Sequence, residues 1–155
     1  MSSAPIVHAG VPTVLVVDDD PNLSDLLCRF LTRQGIKVLV ASSGPQCLET
    51  VQNSPSIDAI VLDVMMPGMD GLQVSAALKQ MEQTRGIPII LLTARGDEKT
   101  RAAGVNLGVS AFMTKPTSGR DLLAQIHAHI TPSHEARRRQ QALPPLAEPE
   151  STIKS

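Results

Sequence analysis

The segment Ile57-Asp58-Ala59-Ile60-Val61-Leu62-Asp63-Val64-Met65-Met66-Pro67-Gly68-Met69-Asp70-Gly71 constrains the fold more than any other. An apolar run with no polar alternation leads into a carboxylate, and a turn rich in proline and glycine follows at once. Such a run fits a strand buried on both faces, the condition of strands in a parallel sheet with helices on either side. In open parallel sheets, ligands and chemistry collect outside the carboxyl ends of the strands. Asp63 therefore stands where a nucleophile or a metal ligand would stand.

Similar short runs recur before and after it. Thr13 to Val17 leads into Asp18-Asp19-Asp20-Pro21, Val38 to Ala41 forms a second run, Ile87 to Leu92 ends at Thr93, and Ser110 to Met113 ends at Thr114-Lys115-Pro116. Helical signals fill the intervals. Asp20 caps a helix with Pro21 at its first position. Leu23, Leu26, Leu27, Phe30 and Leu31 form one stripe at helical spacing, and Gly35 ends it. Ser43-Gly44-Pro45 starts a helix carrying Cys47, Leu48 and Val51, and Gly71 opens one with Leu72, Val74, Ala77, Leu78 and Met81. Asp97 to Leu107 reads as a weaker helix interrupted by Gly104. Ser118, with Asp121 three residues on, starts a fifth whose stripe is Leu122, Leu123, Ile126 and Ile130. This alternation predicts an α/β fold, a (βα)5 doubly wound five-stranded parallel sheet with helices on both faces. Residues 1–12 read as a flexible lead-in, 13–131 as the folded domain, and 132–155 as a charged, proline-containing tail or linker. Within that tail Ser133 to Leu143 has the composition of a helix, prolonging the fifth past a break at Pro132.

Composition narrows the function. Hydrophobic residues make up 42% of the chain, enough for a core, but Phe30 and Phe112 are its only aromatic side chains. That scarcity argues against stacking platforms for single-stranded nucleic acid, and a net charge of −1 gives no general attraction to a polyanion. The chain is expected to bind no nucleic acid directly. No apolar run approaches membrane-spanning length, and residues 1–12 lack the pattern of a secretory signal, so a cytoplasmic location without membrane contact is expected. Cys28 and Cys47 fall inside helical patterns and read as reduced thiols.

The strand ends bring one set of groups to a single edge: Asp18 and Asp19, Asp63, Thr93 and Lys115. Carboxylates gathered at short range require compensating positive charge. Lys115 supplies one unit, and the remainder implies a hard divalent cation, Mg2+ or Mn2+, held by oxygen donors. The absence of histidine and cysteine from the set argues against zinc. Phosphoryl transfer needs such a set: a carboxylate nucleophile, a cation, a hydroxyl and an ammonium to share the phosphoryl charge.

VLVVDDD, VLDVMMPGMDG, IILLTA and FMTKP, in this order, resemble the receiver domain of two-component response regulators, over about Thr13 to Ile130. The resemblance implies a flavodoxin-like, CheY-like fold and Asp63 as phosphoacceptor. It implies metal coordination by Asp18, Asp19, Asp63 and the Met65 backbone carbonyl, and phosphoryl contacts from Thr93 and Lys115. It also implies a cis Lys115-Pro116 bond and a switch coupling Thr93 to the Phe112 ring, which alters the surface of helix four, strand five and helix five. Tyrosine is also common at the Phe112 position in the family. The implied partners are a histidine kinase or a histidine phosphotransfer protein upstream, and downstream a protein partner or an output domain outside this chain; homodimerisation on activation stays open. Such a chain is a signalling switch that catalyses its own phosphorylation rather than an enzyme acting on other substrates. Met65 and Arg95, each two residues past Asp63 and Thr93, offer no amide or acid to orient an attacking water, so slow autodephosphorylation is expected. Thr117-Ser118-Gly119 departs from the large apolar residue usual after Lys-Pro in the family.

Blander readings stand beside these. Asp20 reads better as a helix cap than as a ligand. Thr93 or Lys115 alone would be ordinary, and gains meaning from its place relative to Asp63. Met65, Met66 and Met69 read as loop and packing residues, His127 and His129 as solvent-exposed, and Arg137 to Arg139 as a solvated helix face. A haloacid-dehalogenase-type phosphatase would need an acid where Met65 stands. A flavodoxin-type FMN site would need a phosphate-cradling loop where the three aspartates stand. A degenerate receiver acting as a phosphorylation-independent interaction module is the alternative kept.

Overall fold

The computed structural model describes residues 11–54, 56–94 and 98–142, with side chains described as far as Ile130. The lead-in up to residue 10, the expected helix start at Asp97, Arg95, and residues 143–155 lie outside the described residues. Elements alternate in the expected order: β1 (Thr13–Val17), α1 (Pro21–Arg33), β2 (Lys37–Ala41), α2 (Gly44–Asn53), β3 (Ala59–Asp63), α3 (Gly71–Gln80), β4 (Ile89–Thr93), α4 (Glu98–Leu107), β5 (Ala111–Thr114) and α5 (Gly119–Ala142). The strands form one parallel sheet ordered β2-β1-β3-β4-β5.

The three central strands are buried along almost their whole length because both faces of the sheet are covered. Alternate residues point to opposite sides. Val14, Val16, Val61, Ile90 and Leu92 pack with Leu27 and Leu31 of α1 and Leu122, Ile126 and Ile130 of α5. Leu15, Ile60, Leu62, Ile89 and Leu91 pack with Cys47 and Val51 of α2 and Val74 and Leu78 of α3. This two-sided burial is the physical reason the strands read as unbroken apolar runs rather than as polar–apolar alternation.

Local signals act as expected at most boundaries. The Asp20 carboxylate accepts from the Asn22 N–H at 3.0 Å, and Gly35 adopts φ 86°, a conformation glycine takes without steric cost. Asp70 and Gln73 form a reciprocal capping box on α3. The Asp121 N–H donates to Ser118 Oγ at 3.0 Å.

Five details differ from the sequence reading. Leu26 is 63% exposed while Leu27 and Leu31 are buried, because Leu26 lies one residue, about 100°, round from Leu27 at the edge of the stripe. Gly104 does not interrupt α4. It is buried where α4 crosses the sheet, and an added Cβ would come within 3.0 Å of Leu91 Cδ1. β4 starts at Ile89 rather than Ile87, since Ile87 is engaged in a turn bond to Thr84 and Pro88 has no N–H. α5 runs without a break through Pro132 to Ala142. His127 is exposed but His129 is half-buried.

Candidate functional site at the carboxyl edge of the sheet

The loops that leave β1, β3, β4 and β5 meet at one edge. β1 delivers Asp18, buried, whose backbone is tied to β2 by an N–H bond to the Ala41 carbonyl at 3.1 Å. Its Oδ1 accepts the Asp20 N–H at 2.9 Å, and its Oδ2 receives the Lys115 ammonium at 3.0 Å. Asp19 is exposed beside it. β3 delivers Asp63, only 3% exposed, whose Oδ1 accepts from Lys115 Nζ at 3.2 Å and from the Met65 N–H at 3.3 Å. β4 ends in the buried hydroxyl residue Thr93, and the Lys115 N–H bonds to the Thr93 carbonyl at 2.6 Å. The Lys115-Pro116 peptide is cis.

Carboxylate oxygens of Asp18, Asp19 and Asp63 lie within 4.8 Å of one another. The charge balance of the cluster is incomplete. Burial, and then the neighbouring Asp18 charge, raise the Asp63 carboxyl above the ordinary aspartate value, with Lys115 and the Met65 N–H acting in the opposite sense. Burial on its own would lower the Lys115 ammonium. Its hydrogen bond and ion pair with Asp18, then Asp63, outweigh that and raise it. An all-oxygen donor set with unrelieved negative charge suits a hard divalent cation, so these residues fit Mg2+ or Mn2+.

Met65 is 68% exposed at the lip of the site. Phe112, the expected switch ring, is half-buried against the cluster around Leu91, and the Arg101 guanidinium carbon lies 5.8 Å from its centroid. An open, largely apolar hollow of about 480 Å3 adjoins Lys115, walled by Leu23, Leu26 and Leu27 of α1 and by Leu92 and Pro116.

Two supporting residues escape a sequence reading. Ser24 is buried and its hydroxyl donates to the Asp18 carbonyl at 3.4 Å. A Cβ on Gly71 would fall 2.5 Å from the Asp63 carbonyl oxygen, so the backbone of α3 passes the end of β3 at a distance that only glycine permits. Neither contact leaves a local signature. Gly71 was legible only as the start of a helix.

The profile described as "Response regulator receiver domain" matches residues 14–127. This chain belongs to the response-regulator receiver family. Among curated proteins the receiver is similar to the transcriptional regulatory protein CpxR of Escherichia coli, 42% identical over 127 residues, covering 82% of this chain and 53% of the relative. It is also similar to the sensory transduction protein RegX3 of Mycolicibacterium smegmatis, 37% identical over 116 residues, covering 75% of this chain and 49% of the relative. The chain thus spans about half the length of these curated relatives. Among solved structures, the chemotaxis protein CheY4 of Vibrio cholerae superposes with a TM-score of 0.74 at 27% identity, over 77% of this chain and 99% of that one. The receiver is therefore a signalling module of two-component systems on a CheY-like, flavodoxin-like fold. Among the described residues no helix is long and apolar enough to cross a membrane.

Proposed function

We propose that this receiver accepts a phosphoryl group on Asp63 in a metal-dependent reaction and uses it to change its surface for a downstream partner. The observation that carries the reading is the bridge made by Lys115 between Asp18 and Asp63, beside a third carboxylate and the end of β4. An Asp63 carboxylate oxygen attacks the phosphorus of phosphohistidine on a histidine kinase or phosphotransfer protein. The new P–O bond forms as the P–N bond breaks, and the imidazole leaves with the electron pair. Lys115 and the Thr93 hydroxyl each hold a phosphoryl oxygen and share its developing charge. Asp18, Asp19, Asp63 and the Met65 backbone carbonyl would hold Mg2+ or Mn2+, which when bound supplies the positive charge that Lys115 alone does not.

The output step follows from where the new charge sits. Contact between the phosphoryl group and Thr93 draws that side chain toward the site, and Phe112 turns into the space it leaves. The surface of α4, β5 and α5 is thereby altered for a protein partner, an output domain outside this chain, or a second copy. The receiver unit is 13–131, with 1–12 as lead-in and 132–155 as a tail or linker into which α5 continues as far as Ala142, working in the cytoplasm. The thioether of Met65 offers no strong acceptor to orient water, which favours a long-lived phosphorylated state.

Intact mass after incubation with acetyl phosphate and Mg2+ tests the reading. A gain of one phosphoryl group is expected, lost with EDTA and in Asp63→Asn. A gain that persists in Asp63→Asn would refute Asp63 as acceptor, and no gain in the unmodified chain would refute phosphoacceptor function.

A further inference from the structure

We propose that Met65 is an oxidation site through which peroxide shortens the life of the phosphorylated state. The inference rests on reading Asp63 as the phosphoacceptor and adds a redox input to it. Met65 is the most exposed of the large hydrophobic residues described, at 68%, yet its backbone N–H is bound to Asp63 Oδ1 at 3.3 Å. The loop holding it there is anchored on both sides, by Val64 N–H to the Leu92 carbonyl at 2.8 Å and by Gly71 N–H to the Val64 carbonyl at 2.9 Å. A soft, oxidisable thioether is thus carried on a backbone tied two residues from the acceptor carboxylate, and it is open to solvent.

Nearby sulfur atoms are protected. Met66 is 6% exposed, and Met69 packs on the core beside Gly44. Cys47 is fully buried and its thiol is pushed up to about 12, so it offers almost no reactive thiolate. Cys28 is half-buried on α1. Among the described residues, the exposed methionine at the mouth of the site is Met65.

The chemistry is a two-electron oxygen transfer. A peroxide O–O bond breaks, one oxygen bonds to the thioether sulfur, and the other leaves as water or alcohol. Sulfur is oxidised and the peroxide reduced. The change matters because a thioether accepts hydrogen bonds weakly whereas a sulfoxide oxygen is a strong acceptor. Hydrolysis of an aspartyl phosphate needs a water oxygen to bond to phosphorus as the bond to the Asp63 oxygen breaks. Asp63 recovers its electron pair, and the water proton passes to solvent. An acceptor at the Met65 position holds that water in line. One such hydrogen bond, formed in the transition state, corresponds to decay about fivefold faster.

The test uses the full chain, phosphorylated with acetyl phosphate and Mg2+, freed of excess donor, and followed by intact mass. One portion is first treated with hydrogen peroxide and then with dithiothreitol, which restores oxidised thiols other than sulfinic and sulfonic acids but leaves sulfoxide in place. Peptide mass mapping is expected to place the first sulfoxide at Met65, ahead of Met66 and Met69, and the oxidised protein to lose its phosphoryl group about fivefold faster. In Met65→Leu, peroxide is expected to leave that variant's own decay unchanged, and Met65→Gln should decay quickly without oxidation. Equal decay of the oxidised and untreated proteins, prior oxidation of Met66 or Met69, or acceleration surviving in Met65→Leu would each overturn the proposal while leaving the phosphoacceptor reading intact. Failure of the untreated chain to take up a phosphoryl group would overturn both.

Discussion

Replacing Gly71 by alanine sets two physical effects of opposite sign against each other. Gly71 opens α3, and helix propensity alone favours alanine there by about 1 kcal/mol. The tertiary environment opposes it. The added Cβ would lie 2.5 Å from the Asp63 carbonyl oxygen and 2.8 Å from Val64 Cα, both backbone atoms of a central strand and its exit loop, which have no rotamer by which to move away. Ordinary contact begins near 3.4 Å, so α3 must retreat by about 0.9 Å, straining the Gly71 N–H bond to the Val64 carbonyl at 2.9 Å. Overpacking of this kind costs about 2–3 kcal/mol, so a net loss of about 1–2 kcal/mol is expected. Gly86 provides the matched control: a Cβ there meets nothing within 4 Å and its φ is not positive, so Gly86→Ala should stabilise by about 0.4–1 kcal/mol through the unfolded chain. Urea unfolding of both variants beside the unmodified chain decides the matter. If Gly71→Ala is neutral or stabilising to the same degree as Gly86→Ala, the close approach of α3 to the end of β3 is not real.

Other consequences follow from the same charges and contacts. The folded state raises the Asp63 carboxyl, so this group's contribution to stability is present below the ordinary aspartate range and lost as pH rises through its folded value. Without metal, Asp63→Asn should therefore raise the melting temperature at neutral pH, with the gain vanishing in acid; a gain constant with pH would show that ionisation is not its source. Lys115→Met leaves the buried carboxylates of Asp18 and Asp63 with no cation, and should cost about 2–3 kcal/mol in EDTA, with a larger stabilisation by Mg2+ than in the unmodified chain. Equal Mg2+ effects on melting would refute the charge argument. Ser75 Oγ is buried with no partner among the described residues, so Ser75→Ala should be neutral or stabilising by up to about 1 kcal/mol in urea unfolding. A loss greater than that would reveal a missed contact.

How legible the site was depends on whether a feature is local. The β3 run and Asp63 could be read directly, because burial on both faces removes polar alternation and the turn after it is written in proline and glycine. Asp20, Ser118 and Gly35 were legible for the same reason, since caps act within a few residues. Lys115 and Asp18 are 97 positions apart, and their meeting was inferable only because parallel topology sends every strand end to one edge. Topology places strand ends but not the face of each packed side chain. Leu26 was misjudged on that account, and so was Gly104, where the gap left by a missing Cβ is filled by Leu91 and the Phe112 ring. The role of Gly71 was hidden in the same way, because a clash between backbones of β3 and α3 has no pattern along either segment. The parts of this site that a single sequence conveys are therefore its charged groups, which topology collects. The parts it withholds are the small residues that let the backbone come close enough to hold those groups in place.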